Sequence, residues 1–311
     1  MIMKVTVIGA GVMGPGIAQV WMMGGHETAI VDISEEALQK GVEDIRESLS
    51  TMHQMGIVEK SPDQYMSLLT TTVSMQQAVE GAKLIIEAVP ERPDIKQTIY
   101  SQLDKLCPEG TVIVSNTSSL PLPDMFPDFR PGKFFVCHFF NPPPIIPLVE
   151  LVKTDRTDQE AVEWLKSELL KCGKKPIVVN GFVMGFLVNR LQMAMMREAL
   201  HLVQCGVVQP DDVDTAAMAA IGFKTAWQGM FDTMDYIGLD TVALVGGIIF
   251  PNLSNDTQVP AVITDKVRLG QLGVKSGQGF FNYEGERAAD VMNRRQTLLL
   301  EQLRLFKKYQ S

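Results

Sequence analysis

The sequence predicts an α/β protein in two parts: an N-terminal, doubly wound, mostly parallel sheet with a helical hairpin insertion, then an all-α C-terminal domain. Three observations predict it. Residues 4–8, K-V-T-V-I, run as a short apolar strand straight into G-A-G-V-M-G and a helical stretch. Strand-like and helical stretches then alternate as far as P-I-V-V-N, the pattern of parallel strands joined by crossover helices. Past Gly181 the strands vanish and apolar residues recur at helical spacing, as in L-V-N-R-L-Q-M-A-M-M-R-E-A-L-H-L-V. The boundary is placed there, with 1–180 forming the sheet domain and 181–311 the helical one.

Each element follows from its local pattern. The first strand, Lys4 to Ile8, stops at the glycines; a helix from Pro15 to Met23 follows, and a second strand, Thr28 to Val31, ends at Asp32. Helical pattern then covers Glu35 to Met55 and Asp63 to Leu69, longer than a simple crossover needs, which is the hairpin insertion. The strand-like runs T-T-T-V and K-L-I-I-E-A-V come next, then a helix from Asp94 to Leu106, the strand T-V-I-V-S and the loop N-T-S-S. Extended runs at F-F-V-C-H and P-L-V-E-L and a helix from Asp158 to Lys171 precede the last strand. The helical domain has loops at G-F-K-T-A-W-Q-G and V-K-S-G-Q-G-F and ends in a charged, amphipathic segment, Ala289 to Tyr309.

Composition narrows the function classes. The 311 residues are 46% hydrophobic and 21% charged, the balance of a soluble globular protein, and no apolar run is long enough to cross a bilayer. The start, M-I-M-K-V-T-V-I-G, has no basic region or cleavage site and passes directly into a strand, so a cytoplasmic location without a signal peptide is expected. Net charge is −8 with no dense basic cluster, which argues against nucleic acid as a partner. Cys107, Cys137, Cys172 and Cys205 lack C-x-x-C spacing and read as reduced, mostly buried thiols, so neither a metal site nor disulfides are indicated. A small-molecule substrate remains.

The glycine run supplies the first site. Gly9 permits a tight turn, Gly11 lets backbone approach a pyrophosphate, and Gly14 lets the helix pack close to the strand; Val12 and Met13 between them complete the loop. The helix then points its free N–H groups at the phosphates. Asp32, at the end of the second strand, accepts hydrogen bonds from ribose hydroxyls and repels a 2′-phosphate, so a Rossmann-type domain binding NAD rather than NADP is expected.

A second constellation carries chemistry. His138 stands between short apolar runs, Glu150 lies twelve residues on, S-N-T-S-S occupies 115–119, and V-N-R occupies 188–190. Oxidation of an alcohol requires a base for the hydroxyl proton as hydride leaves carbon, and an imidazole suits this; a carboxylate beside it fixes the tautomer and stabilises the imidazolium. Contact between His138 and Glu150 requires 134–138 and 147–151 to be neighbouring extended segments.

At these residues the chain resembles the L-3-hydroxyacyl-CoA dehydrogenase family, nearly end to end. The segments are V-I-G-A-G-V-M-G-P-G-I-A-Q, I-I-E-A-V-P-E, S-N-T-S-S-L, H-F-F-N-P, G-F-L-V-N-R-L, D-Y-I-G-L-D-T and V-K-S-G-Q-G-F-F-N-Y. The resemblance implies His138 as general acid/base, Glu150 as its orienting partner, and Ser118 and Asn189 as hydrogen-bond partners of the reacting oxygens. It also implies that Glu91, Lys96, Asn116, Ser118, Asn141 and Lys275 contact NAD, and that the helical domain forms a homodimer, with the methionines near Gln192 to Met196 serving that contact or ordinary core filling.

Within that resemblance the hairpin departs from the pattern. CoA-using members hold the nucleotide of CoA with polar and basic residues there; the corresponding positions are Ile45 and Met52, and Arg46 and Lys60 are the only cations from Glu43 to Gln64. Little gain from the nucleotide of CoA is therefore expected, with Met52→Lys expected to improve a CoA ester selectively. N-P-P-P-I-I-P-L-V-E-L-V and N-R-L-Q-x-A are similar to the L-gulonate 3-dehydrogenase and lambda-crystallin branch, whose substrate is a free hydroxy acid. Three functions stand: an NAD-dependent L-3-hydroxyacyl-CoA dehydrogenase first, a dehydrogenase of a free 3-hydroxy acid second, and a structural NAD-binding protein without turnover third.

Overall fold

The computed structural model describes every residue except Met1, Pro127, Glu286, Arg287, Gln310 and Ser311. Its strands are β1 (Lys4–Ile8), β2 (Glu27–Val31), β3 (Leu69–Thr72), β4 (Leu84–Glu87), β5 (Val112–Ser115), β6 (Phe134–Phe139), β7 (Leu148–Lys153) and β8 (Lys175–Asn180). They form one sheet in the order β3-β2-β1-β4-β5-β6-β7-β8, and only the β6–β7 pair is antiparallel. Helices α1 (Gly14–Met23), α2 (Glu35–Gln54), α3 (Pro62–Met66), α4 (Met75–Val79), α5 (Pro93–Leu106), α6 (Leu122–Met125) and α7 (Gln159–Lys171) connect them.

Strands β4, β5 and β6 are buried throughout, which is why they read as unbroken apolar runs instead of alternating ones. The two-residue period sends Ile85 and Ile86 to opposite faces. Ile86 joins Val5, Val7, Ile17, Trp21 and Val114 in one core, while Ile85 joins Ile113, Tyr100 and Leu103 in the other. Strand order reverses between β1 and β4. Gly9 leaves the end of β1 there, bonding to Val31 O at 2.8 Å, and Ala88 leaves the end of β4, bonding to Ile8 O at 2.8 Å. In open sheets of this kind, ligands bind outside the carboxyl ends of the strands at such a reversal.

The hairpin insertion lies down on the sheet domain. Ser34 caps α2 by accepting from Ala37 N at 3.1 Å, and Ser61 with Gln64 forms a capping box on α3. Leu38, Ile45, Leu49 and Met52 recur at helical spacing and are buried in the core shared with α1. Gln19 of α1 donates its amide to the Met52 sulfur at 3.3 Å. Ile45 and Met52 thus face inward, so they are not vacant ligand positions, and a lysine at 52 has no solvent to reach. Of the two hairpin cations, Arg46 pairs with Asp63 at 2.5 Å and Lys60 lies over the Tyr65 ring at 5.9 Å.

The chain forms two compact units, Met1–Leu187 with Arg295–Ser311, and Val188–Arg294. The expected division at 181 changes at both ends. Residues 181–187 stay with the sheet because Phe186 is buried against Val136 and Val152 and Leu187 N donates to Glu150 Oε1 at 3.0 Å. The end of the chain returns to the first unit because Leu300 and Leu303 belong to the core that holds Ile45, Leu49 and Met52, and Lys307 Nζ donates to Ile57 O at 3.3 Å. The amphipathic pattern of this segment was legible; the face it covers was not.

The second unit contains α8 (Val188–Gln204), α9 (Pro210–Ala216), a π-helical turn leading into α10 (Phe223–Thr225), then α11 (Met230–Ile237), α12 (Leu239–Ile249), α13 (Ala261–Arg268) and the start of α14 (Ala288–Tyr309). No residue of α8 is buried. Met193, Phe231, Ile248 and Phe250 are exposed large apolar side chains within this unit. No single described helix is long and apolar enough to cross a membrane.

Candidate active site

The antiparallel register pairs His138 of β6 directly with Glu150 of β7. Directly opposed residues point to the same face, so twelve residues of sequence collapse to a hydrogen-bond length: His138 Nδ1 lies 2.8 Å from Glu150 Oε2. Glu150 is 0% exposed and His138 6% exposed. The other carboxylate oxygen accepts from Leu187 N, and the Phe140 and Phe186 rings flank the imidazole at 4.5 and 5.5 Å. A carboxylate at Nδ1 favours the proton on that nitrogen, which leaves a lone pair on Nε2. No described residue hydrogen-bonds to Nε2.

Asn116, expected to contact NAD, uses its side-chain oxygen to accept from Phe139 N at 2.8 Å, which fixes the backbone next to His138. Ser118 is exposed, its N–H donates to Glu91 Oε1 at 3.1 Å, and its hydroxyl has no described partner. Glu91 also accepts from the Thr117 hydroxyl and from Ser119 N at 3.3 Å, so one carboxylate shapes the whole N-T-S-S turn. Burial pushes the Glu91 carboxyl upward, but the Thr117 hydroxyl and Lys96 outweigh it and hold its pKa below the ordinary value.

Lys96 is buried beside this turn. It is 1% exposed, and its ammonium lies 2.7 Å from one Glu87 oxygen, 2.9 Å from the other and 3.2 Å from Glu91 Oε2. A buried ammonium must be paired, and these carboxylates take it up, so Lys96 braces the turn. Glu87 is the hub: it also accepts from Tyr100 OH at 2.7 Å and Ser115 Oγ at 2.6 Å, and burial beside it pushes the Tyr100 hydroxyl pKa upward. Glu87, Tyr100 and Thr117 were missed in the sequence. The available signal was a carboxylate closing the apolar run L-I-I-E with a lysine nine residues later.

The glycine loop fits a dinucleotide. Gly9 has φ +105°, and a Cβ there would lie 2.8 Å from Ala88 O; at Gly14 it would lie 1.8 Å from Gly9 O; at Gly11 it would meet open space. The first and third glycines are therefore required by close backbone approach, and the second leaves room for a ligand. Val12 is exposed, and Met13 at the N-cap of α1 supplies no side-chain cap, with no acidic residue in the first turn. The helix N–H groups there remain available to phosphate. Asp32 accepts from Ala10 N at 2.7 Å and Ser34 N at 3.0 Å, tying the loop to the α2 cap while standing at the end of β2. Asn141 is exposed just beyond β6; Asn189 opens α8 and Lys275 lies in the turn Val274–Ser276, both in the second unit.

Comparison with known proteins gives the family. Residues 4–182 match the family described as 3-hydroxyacyl-CoA dehydrogenase, NAD binding domain, and residues 185–283 match its C-terminal domain. The chain is 35% identical to human mitochondrial hydroxyacyl-coenzyme A dehydrogenase over 90% of this chain and 91% of that protein. It is 32% identical to the 5-formyl-3-hydroxy-2-methylpyridine 4-carboxylate 5-dehydrogenase of Mesorhizobium japonicum over 92% and 93%. A crystal structure of an enzyme of that activity, described as an NAD+-dependent dismutase, is similar with a TM-score of 0.91, 30% identity and 99% of each chain covered. A (S)-3-hydroxybutyryl-CoA dehydrogenase structure from Ralstonia eutropha gives 0.74 at 29% identity, covering 91% of this chain and 100% of that one. With both domain models matched and relatives above 30% identity along nearly the whole length, the chain belongs to the 3-hydroxyacyl-CoA dehydrogenase family, NAD-dependent oxidoreductases acting on CH–OH groups.

Proposed function

We propose that this chain oxidises a secondary alcohol to a ketone, with His138 as the acid/base and Glu150 as its orienting partner. The observation that carries the reading is the contact of 2.8 Å between buried Glu150 and His138 Nδ1. NAD, when bound, supplies the hydride acceptor. His138 Nε2 takes the hydroxyl proton as hydride leaves the carbon, and Glu150 stabilises the imidazolium that results. The Ser118 hydroxyl, with Asn189 by family resemblance, holds the reacting oxygen. A purely structural NAD-binding protein has no need of all four side chains.

For the substrate, we favour a small free hydroxy acid over a CoA thioester. Ile45 and Met52 are buried, Arg46 is paired with Asp63, and the last helix packs into the same core, so the hairpin offers little to a phosphorylated nucleotide. Similarity of 0.91 to a structure named for a pyridine carboxylate, against 0.74 for a CoA enzyme, supports a free carboxylate over a CoA thioester. The exposed apolar side chains of the helical unit suit a homodimer. Four unpaired thiols suit a reducing compartment such as the cytoplasm. The test is a panel of CoA thioesters and free hydroxy acids scored by NADH absorbance. NADH formation with a free acid is expected, and a strong preference for full CoA esters over truncated pantetheine esters would overturn the substrate choice.

A further inference from the structure

The connection between the two strands of the His138–Glu150 pair is residues 140–147, F-N-P-P-P-I-I-P. Four of its eight residues are proline and donate no N–H, so the loop has few means of bonding its own carbonyls. Ile145 N and Ile146 N both turn back to Pro142 O, each at 3.0 Å. The loop also seats on the nucleotide-facing helix: a Cβ on Gly16 of α1 would lie 2.9 Å from Pro143 Cδ and 3.2 Å from Pro144 Cδ. It therefore touches both α1 and the strands that carry the acid/base pair.

What holds it from the other side is Lys174, in the turn between α7 and β8. Its side chain donates to Pro143 O and, at 2.9 Å, to Ile146 O, while its own N–H is anchored on Leu169 O at 2.9 Å. The next residue, Lys175, donates its N–H to Pro147 O at 2.9 Å. Residues 174 and 175 thus bond three carbonyls of one loop. Lys174 is 5% exposed, and among the described residues it forms no ion pair with a carboxylate. A buried amine bonded to carbonyls alone gains no counter-charge; its evident return is the satisfied loop backbone.

We infer that Lys174 is a positioning residue of the reaction, holding the 140–147 loop so that His138, Glu150 and the helix behind the glycine loop keep their mutual geometry. This rests on the reading of His138 and Glu150 as the acid/base pair. Misplacement of reacting groups by about 1 Å can cost about a hundredfold in rate, so a loosened loop should appear in kcat before it appears in binding.

The test uses the full chain with Lys174→Met and Lys174→Arg, measuring NAD affinity by calorimetry, amide hydrogen exchange at Ile145 and Ile146, and kcat and KM on the substrate the panel yields. For Lys174→Met we expect exchange at the two amides to quicken at least about tenfold and kcat to fall about 10- to 100-fold. NAD affinity and KM should stay within about threefold, and arginine, which keeps the donors, should recover most of kcat. If the methionine variant does not fold, Lys174→Gln takes its place under the same criteria. Wild-type kcat in a folded Met or Gln variant overturns the proposal, even if its melting temperature drops. Failure of the acid/base reading shows separately, as His138→Gln retaining its rate while Lys174→Met still loosens the loop.

Discussion

Replacing Met52 by lysine should unfold the hairpin instead of equipping it to hold a nucleotide. Met52 is 0% exposed, shares a core with Ile45, Leu49 and Leu300, and accepts the Gln19 amide through its sulfur. Losing its buried apolar surface costs about 2 to 3 kcal/mol. A lysine among these aliphatic groups must lose its proton or find water. If burial lowers its pKa by about 3 units, the penalty at neutral pH is about 4 kcal/mol. The sum, about 6 to 7 kcal/mol, is comparable with the total stability of about 5 to 15 kcal/mol typical of a domain. At about 2 to 4 °C per kcal/mol for a unit of this size, the melting temperature should fall by on the order of 20 °C. Calorimetric melting would show it, with Gln54→Lys, at an exposed position of the same helix, as a control that changes little. A Met52→Lys protein that melts within about 5 °C of wild type and gains activity selectively toward a CoA ester would refute the inward packing of the hairpin.

Three further outcomes follow from the same geometry. Asp32→Ala removes the acceptor of Ala10 N in the glycine loop and of Ser34 N at the α2 cap as well as the proposed ribose acceptor, so NAD affinity should fall roughly 30-fold and NADP less, narrowing the gap; titration of both nucleotides measures it. Glu150→Gln should lower kcat by at least about tenfold and alter its pH profile, because the imidazolium loses its counter-charge; unchanged pH–rate curves would count against the pair. Burial holds Lys174 at a pKa of about 7 against an ordinary 10.5, so the unfolded chain binds more protons between those values. Stability should therefore rise with pH there, by up to about 1.4 kcal/mol per unit. Above 9 the Cys172 thiol, pushed up to about 12, acts in the opposite direction, so urea denaturation from pH 7 to 9 is the informative window. Lys174→Met should flatten that slope.

The parts of the fold legible in the sequence were those dictated by local pattern. The strand–glycine–helix opening, the apolar strands and the helical change near Gly181 follow from periodicity and turn chemistry, and the elements lie close to where those signals place them. Non-local packing was hidden. Nothing in the sequence around Ile45 and Met52 distinguishes a side chain facing a ligand from one facing α1 and the last helix, and the stripe on α14 does not say which core receives it. At the site, His138 and Glu150 were legible because chemistry limits what an imidazole and a carboxylate near a hydroxyl-rich loop can do, and the strand register brings them together. The ion pairs of Lys96 with Glu87 and Glu91 were not legible, because they depend on which strand ends and turns meet. Asn116 and Lys174 act through backbone carbonyls and amides of other strands and loops, which sequence spacing does not reveal.

The central claim is that His138 moves the proton while Glu150 holds it in place, and His138→Gln tests it most directly. Glutamine keeps much of the volume and can still hydrogen-bond to Glu150, so folding and NAD affinity should match wild type within about threefold. Turnover on the substrate found by the panel should then fall by about 100- to 10,000-fold, the usual worth of a positioned acid/base. A folded, NAD-binding His138→Gln enzyme turning over at a near-normal rate would contradict the account.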